Sequence, residues 1–313
     1  VTSGAVTEIG AGRLLIDLGF RDRDGLIASY LIPGAEGWTI VETGPGSCRE
    51  ALERGVSRAG VDPAQVVRIL VTHIHLDHSG GLGVVAETFP KAELYAHADG
   101  VPHLVDPTRL IASARRAWGP ASDSLWGPIA PVPADRLHPL TGGEQFPVLG
   151  GTLRVLATPG HARHHLSYLD TGPGNLLTGD SAGIRLPGDD SARPAVPPPD
   201  LDIDRLMGSL DRMIAAAPRS ILYAHYGPFP HATSDLNTYR TRVLEWCEVA
   251  RASALKDPRP AAIGAALREH EISAGRAPPI GSGQVDRSDL VSGYEMAAAG
   301  LLRYLRQTGR VPG

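Results

Sequence analysis

Thr72-His73-Ile74-His75-Leu76-Asp77-His78-Ser79-Gly80-Gly81 follows the apolar run Arg68 to Val71 and places four potential metal ligands within six residues. In an extended loop, side chains repeat every two positions. His73 and His75 then point the same way, while the adjacent Asp77 and His78 diverge and can serve a second ion. Imidazole and carboxylate suit Zn²⁺, and also Fe or Mn. A structural zinc site rich in thiolate would need cysteines, and the chain has only Cys48 and Cys247. The donor set therefore points to a catalytic centre.

Six residues cannot complete two coordination shells, so further ligands must come from elsewhere in the chain. Three residues stand at equivalent local positions. His161 follows a strand expected at Leu153 to Ala157 and the turn Thr158-Pro159-Gly160, Asp180 follows Asn175 to Thr178, and His225 directly follows Ser220 to Ala224. Each sits where a short apolar strand ends, the edge at which sheets of α/β character gather ligands.

Working outward, β-type runs are expected at Arg13 to Leu18, Ile27 to Ile32 and Trp38 to Glu42, with turns at Gly25, Pro33-Gly34 and Gly44-Pro45-Gly46. Helical spacing is expected at Cys48 to Ala59 and Gly81 to Phe89, with strands at Val66 to Val71 and Leu94 to Ala96. Pro102 to Pro133, with Trp118 and Trp126, reads as a helical insertion. Leu186 to Asp200, with five prolines, reads as an extended loop or lid. Further strands are expected at Leu166 to Asp170 and a helix at Asp202 to Ala216. The last third carries helical spacing at Ser234 to Leu255, Ala261 to His270 and Ser288 to Gln307.

Bulk properties narrow the partners. A net charge of −4 without a basic run argues against a nucleic-acid footprint, and no window approaches eighteen consecutive apolar residues, so no membrane span is expected. A small-molecule substrate is favoured, and a homodimer stays open. Val1 to Phe20 lacks the basic and continuously apolar regions of a signal peptide, which makes the cytoplasm the default expectation.

Taken together, these segments resemble the metallo-β-lactamase superfamily, in a glyoxalase II-like or lactonase-like branch, with its H-x-H-x-D-H loop, later histidine, bridging aspartate and final histidine in family order across residues 42 to 225. The resemblance implies an α/β (α+β) fold: a four-layer αββα sandwich at residues 1–232, with a C-terminal helical appendage at 233–313 packed on it. It also implies a ligand assignment. His73, His75 and His161 would bind a first metal, Asp77, His78 and His225 a second, and Asp180 would bridge two Zn²⁺, with Fe or Mn as alternatives. Val41-Glu42-Thr43-Gly44 resembles an early strand-end motif of the family, in which Asp usually stands where this chain has Glu42.

The implied chemistry is attack by a hydroxide bridging the metals, because coordination brings the pKa of water from ~15.7 towards ~7. Asp77 or a metal-bound water would handle the leaving-group proton. Tyr226 and Arg185 are candidate substrate contacts because they lie just after His225 and Asp180. His164 and His165 are expected to face the core edge or solvent, and His97, His103, His138, His231 and His270 to be surface or supporting residues. Family β-lactamases lack the bridging aspartate, flavodiiron members carry Glu at the position of His75, and nuclease branches add a basic module. Ester, thioester or lactone hydrolysis remains, with a mononuclear iron persulfide dioxygenase and a phosphodiesterase as alternatives.

Overall fold

Short strands in this chain send successive side chains into two different apolar environments, and that alternation sets the order of layers. On one strand Leu15 faces the neighbouring sheet while Ile16 faces helices, and both are buried. The computed structural model describes residues 3–313; the first two positions of the expected 1–232 unit lie outside the described residues.

In chain order, the first half comprises β1 (Val6–Glu8), β2 (Leu14–Asp17), β3 (Ala28–Pro33), β4 (Trp38–Val41), α1 (Arg49–Arg58), β5 (Val66–Leu70), α2 (Leu76–Ser79), α3 (Leu82–Thr88), β6 (Glu93–His97), α4 (Val101–Val105), α5 (Thr108–Trp118), α6 (Ser122–Trp126) and β7 (Leu137–Leu140). Its seven strands form one sheet in sequential order, antiparallel from β1 to β4 and parallel from β4 to β7. The second half comprises β8 (Gln145–Val148), β9 (Gly151–Ala157), β10 (Leu166–Asp170), β11 (Asn175–Gly179), α7 (Ile203–Ala215), β12 (Ser220–Tyr223), β13 (Gly227–Pro230), α8 (Ala232–Ala254), α9 (Pro260–Ser273) and α10 (Tyr294–Gln307). Its six strands form the second sheet, ordered β13-β12-β11-β10-β9-β8, with only β11 and β12 parallel.

The two sheets face each other across Leu15, Tyr30, Val41, Leu70, Val155, Tyr168 and Leu222. Helices α1 and α3 cover the outer face of the first sheet, and α7 to α10 cover that of the second, giving the αββα layering with C-terminal helices. Two tyrosines tie the layers near one rim: Tyr168 donates to the carbonyl of Val71 at 2.7 Å and Tyr30 to that of Tyr223 at 2.5 Å. Both acceptors lie at strand ends that precede candidate ligands, so inter-sheet packing also sets the spacing of the site.

Two expectations need correction. The run Ser288 to Gln307 is not one helix: a 3-10 turn at Arg287–Leu290 is followed by extended backbone at Gly293, and α10 starts at Tyr294. β1, β7, β8 and β13 were not expected at all, and they are the four sheet edges. Among the described residues, no helix is long and apolar enough to cross a membrane.

Candidate metal centre

Five strand ends converge at one rim. β5 ends at Leu70, His75 is extended (φ −63°, ψ 148°), and α2 begins at Leu76, so Asp77 and His78 lie beyond the extended part of the loop. Asp77 and His78 diverge because they lie on a helical turn rather than on an extended loop. Gly81 N–H donates to the Gly44 carbonyl at 2.8 Å, and Thr43 N–H to that of His78 at 3.0 Å, pinning this turn against the end of β4.

The structure brings the seven residues singled out in the sequence into two adjoining groups. In the first, His73 Nε2 and His161 Nε2 each lie 2.9 Å from His75 Nδ1. In the second, Asp77 Oδ2 lies 3.5 Å from His225 Nε2 and 3.9 Å from His78 Nε2. Asp180 stands between them, with Oδ2 3.6 Å from His161 Nε2, and Oδ1 3.3 Å from His78 Nε2 and 3.6 Å from His225 Nε2. Two chain features aim the later ligands. Gly179 (φ +48°) sits at a register shift in β11, where a Cβ would come within 2.4 Å of Thr72 Oγ1 and 2.7 Å of His165 Nε2. Gly160 (φ +144°) lets the backbone of Leu206 in α7 approach the turn before His161, and a Cβ there would lie 2.4 Å from Leu206 Cα.

The outer nitrogens settle which ring atoms face inward. His161 Nδ1 donates to the Ala195 carbonyl and His225 Nδ1 to that of Leu26, both at 2.9 Å. The Thr72 hydroxyl donates to Glu42, so the contact at 3.0 Å between Thr72 Oγ1 and His73 Nδ1 places the ring proton on Nδ1. His73 and His161 therefore present unprotonated Nε2 atoms to the centre, and His225 directs its Nε2 there as well. At most one proton can sit among the three nitrogens of the first group, which leaves converging lone pairs that a cation satisfies and hydrogen bonding alone does not. In the second group, His78 Nε2, His225 Nε2 and Asp180 Oδ1 are buried without a hydrogen-bond partner. Three sets of His and Asp atoms meet the spacing of metal ligands: His73, His75 and His161; His73, His78 and Asp180; and Asp77, His78 and His225. The donor set fits divalent cations bound by imidazole and carboxylate.

Electrostatics agree. Burial, reinforced by neighbouring imidazoles, holds His73 well below the usual histidine range and His75 down at about 3. Burial also lowers His161, outweighing Asp180. Burial opposes charge on His78 and His225 too, but Asp180 and Asp77 outweigh it and raise both. Burial would raise Asp77, yet His78 and His225 bring it to about 2, and the same imidazoles hold Asp180 well below the carboxylate range. The carboxylates draw protons onto His78 and His225, where metal coordination would supply positive charge instead.

Several residues outside the candidate ligand set support it. His165, expected at the core edge or in solvent, is fully buried; its Nε2 accepts from the Asp180 amide at 3.2 Å and its Nδ1 meets Thr158 and Ser181 hydroxyls at 2.9 and 3.0 Å. Glu42, held at φ +71°, approaches His78 Nδ1 at 3.4 Å while accepting from Thr72. The longer acid thus reaches the place that the shorter one usually serves. His164 is buried at the cavity wall, and its Nδ1 lies 3.5 Å from the Ile74 amide. A strand end followed by Thr-His was the sequence signal for Thr72; nothing local marked His165.

A cavity of about 1210 Å³ opens over His75, Asp77, His161 and Asp180. Helices α5 and α6 form one wall through Trp118 and Trp126, Pro197 to Pro199 another, and residues 289–293 a third. Neither expected substrate contact is placed on its lining. Arg185 is held by Asp235 at 2.7 Å and lies over the Phe229 ring at 3.9 Å, while Tyr226 packs between two apolar clusters with its hydroxyl against Asp17. Burial and an ion pair consume the groups that proximity in sequence had suggested for substrate.

Comparison with known proteins matches residues 22–225 to the metallo-beta-lactamase superfamily. The metallo-beta-lactamase fold-containing protein ST1585 of Sulfurisphaera tokodaii is 33% identical over 162 residues, which cover 51% of this chain and 60% of that protein. A hydroxyacylglutathione hydrolase of Dechloromonas aromatica is 34% identical over 113 residues, covering 36% of this chain and 30% of the hydrolase. The thioesterase pkgB of Emericella nidulans is 28% identical over 154 residues, covering 49% of this chain and 35% of that protein. The aligned parts therefore span less than two thirds of these relatives. The crystal structure of ST1585 superposes with a TM-score of 0.68 at 24% identity, covering 95% of this chain and 98% of that one, and shows the shared fold.

Proposed function

The chain belongs to the metallo-beta-lactamase superfamily, and on that premise we propose that it is a hydrolase using two metal ions to cleave a small ester, thioester or lactone. The observation that carries this reading is the position of Asp180, whose two oxygens face the two donor groups separately. Thioester cleavage is the preferred member of the set, since two of the relatives are a hydroxyacylglutathione hydrolase and a thioesterase.

His73, His75 and His161 would hold one ion and Asp77, His78 and His225 the other, with Asp180 between. Bound there, the ions supply Lewis acidity and a water acidified towards neutral pH. The protein contributes orientation: hydrogen bonds from Nδ1 fix three imidazoles, and the His165 contact fixes the backbone of Asp180. Asp77 is partly exposed to the cavity, and it or a metal-bound water would pass a proton to the leaving group.

Elemental analysis of the purified protein, followed by turnover of thioester, lactone, ester and phosphodiester panels, tests this reading. Two Zn²⁺, or two ions of Fe or Mn, with hydrolysis of an acyl substrate are expected. A single iron with oxygen uptake would replace the reading with a persulfide dioxygenase, and turnover of phosphodiesters alone would replace the substrate class. His75→Ala and Asp180→Ala should each lower kcat/KM by about 10³-fold or more and reduce metal content while the chain stays folded. His138, which pairs with Glu93 on the surface, serves as the control: His138→Ala should leave metal stoichiometry unchanged.

A further inference from the structure

The cavity wall carries a charge pattern that the metal chemistry does not use. On α5, Leu110, Ala114 and Ala117 face the cavity, while Arg109 and Arg116, seven residues apart, line it on one flank of the same helix. Their separation corresponds to about 10 Å along the axis. Neither guanidinium has a hydrogen-bond or ion-pair partner among the described residues, whereas Arg115 beside them is paired with Asp123. Acids on the other walls are answered within the protein: Asp200 by Arg163, and Asp289 by Arg193. Asp22 is the exception, and it lines the cavity from the turn after β2, next to Phe20. In a chain of net charge −4, two unanswered arginines at the mouth of an active-site cavity form a local reversal of sign.

Below them the wall is aromatic. Trp126 stacks on Phe20 at 6.0 Å and meets Trp118 edge-on at 4.9 Å, and Trp118 remains 41% exposed. With a volume of about 1210 Å³, the cavity exceeds what a short acyl group needs.

We propose that the substrate is amphipathic: a bulky apolar group lies against Trp118, which is backed by the buried Trp126 and Phe20, and a phosphate or carboxylate remote from the scissile bond is held by Arg109 and Arg116. The nature of that bond rests on the hydrolase reading above; the binding of this shape and charge does not. Arginine suits the role because its planar fork pairs with both anions. The anion can belong to the thiol half or to the far end of the acyl half, and the probes separate the two.

Quenching of tryptophan fluorescence by S-octyl-coenzyme A, a thioether that cannot be hydrolysed, is measured on metal-free and metal-loaded protein. The Arg109→Glu/Arg116→Glu double variant should weaken binding by about tenfold or more, and added salt should erase most of the difference. Trp118→Ala should weaken S-octyl-coenzyme A more than S-methyl-coenzyme A. In turnover, octanoyl-coenzyme A carries charge on the thiol half, the N-acetylcysteamine monothioester of decanedioic acid carries it on the acyl half, and octanoyl-N-acetylcysteamine carries none. The double variant should raise KM for one charged probe with little change in kcat, and leave the neutral probe unaffected. Equal binding of S-octyl-coenzyme A by wild type and double variant, together with equal KM for all three thioesters, overturns the proposal. Binding that depends on Arg109 and Arg116 without any turnover would sustain it and refute the thioester reading alone.

Discussion

Glu42 shows how much of this centre depends on residues that are not ligands. Its carboxylate accepts from Thr72, which turns His73, and faces His78 Nδ1 at 3.4 Å. Glu42→Gln keeps the shape but removes the charge, and should weaken metal binding about 10- to 100-fold in a chelator competition. Unchanged affinity would mean that the glutamate only fills space. A pH dependence follows from the raised His78 and His225, where burial is outweighed by Asp180 and Asp77. Both rings must lose a proton to bind a cation, so affinity rises with pH and falls as pH drops. Titration between about pH 5.5 and about pH 7.5 should show this, and a flat profile would contradict it. The seven candidate ligands were marked in the sequence because each follows an apolar strand, directly or across one short turn. Glu42, Thr72 and His165 work through partners 15 to 36 positions away in sequence, in contacts that only folding creates.

Among the elements, the central strands were readable and the edges were not, for one physical reason. β7, β8 and β13 each contain proline, in Leu137–Leu140, Gln145–Val148 and Gly227–Pro230, and β1 has no buried residue. An edge strand needs only one bonded side and one apolar contact face, so it tolerates proline and lacks the continuous apolar run that marks a central strand. The proline-rich loop was readable as extended, but its anchoring was not. Arg242 of α8 donates to the carbonyls of Ser191 and Ala192 at 2.9 and 2.7 Å and pairs with Glu271 of α9. The same loop supplies the Ala195 carbonyl that orients His161. Burial would raise Glu271, but Arg242, Trp246 and Arg276 hold it below the usual range. Its contribution to stability is therefore present above the unfolded value, about 4.5, and is lost as pH falls through the lower folded value. Glu271→Gln leaves a buried guanidinium unpaired and should cost about 3 kcal/mol in a denaturant titration near neutral pH. That deficit should shrink on acidification, and a deficit independent of pH would remove the ion pair from the explanation.

At the scale of the whole molecule, the C-terminal helices and the second sheet share one apolar cluster. Leu176 and Ile221 from strands, Leu206 from α7, Tyr239 and Trp246 from α8, Ile263 from α9 and Leu301 from α10 belong to it, all buried. Calorimetry should accordingly show a single unfolding transition. Two separated peaks would show that the helices melt as an independent unit. The layered architecture was legible because strand spacing and ligand order are both local patterns. The cavity was not, because its walls come from α5 and α6, the proline-rich loop and the segment before α10, which have no common sequence signature.

The candidate ligands are spread from His73 to His225 across both sheets. On a ribosome, the His73–His75 pair emerges roughly 150 residues before the last imidazole, so for most of synthesis the nascent polypeptide offers incoming ions only a partial, exposed grip. Tight capture must wait until translation has passed residue 225 and the halves have docked, which makes metal loading a late event in the birth of the protein.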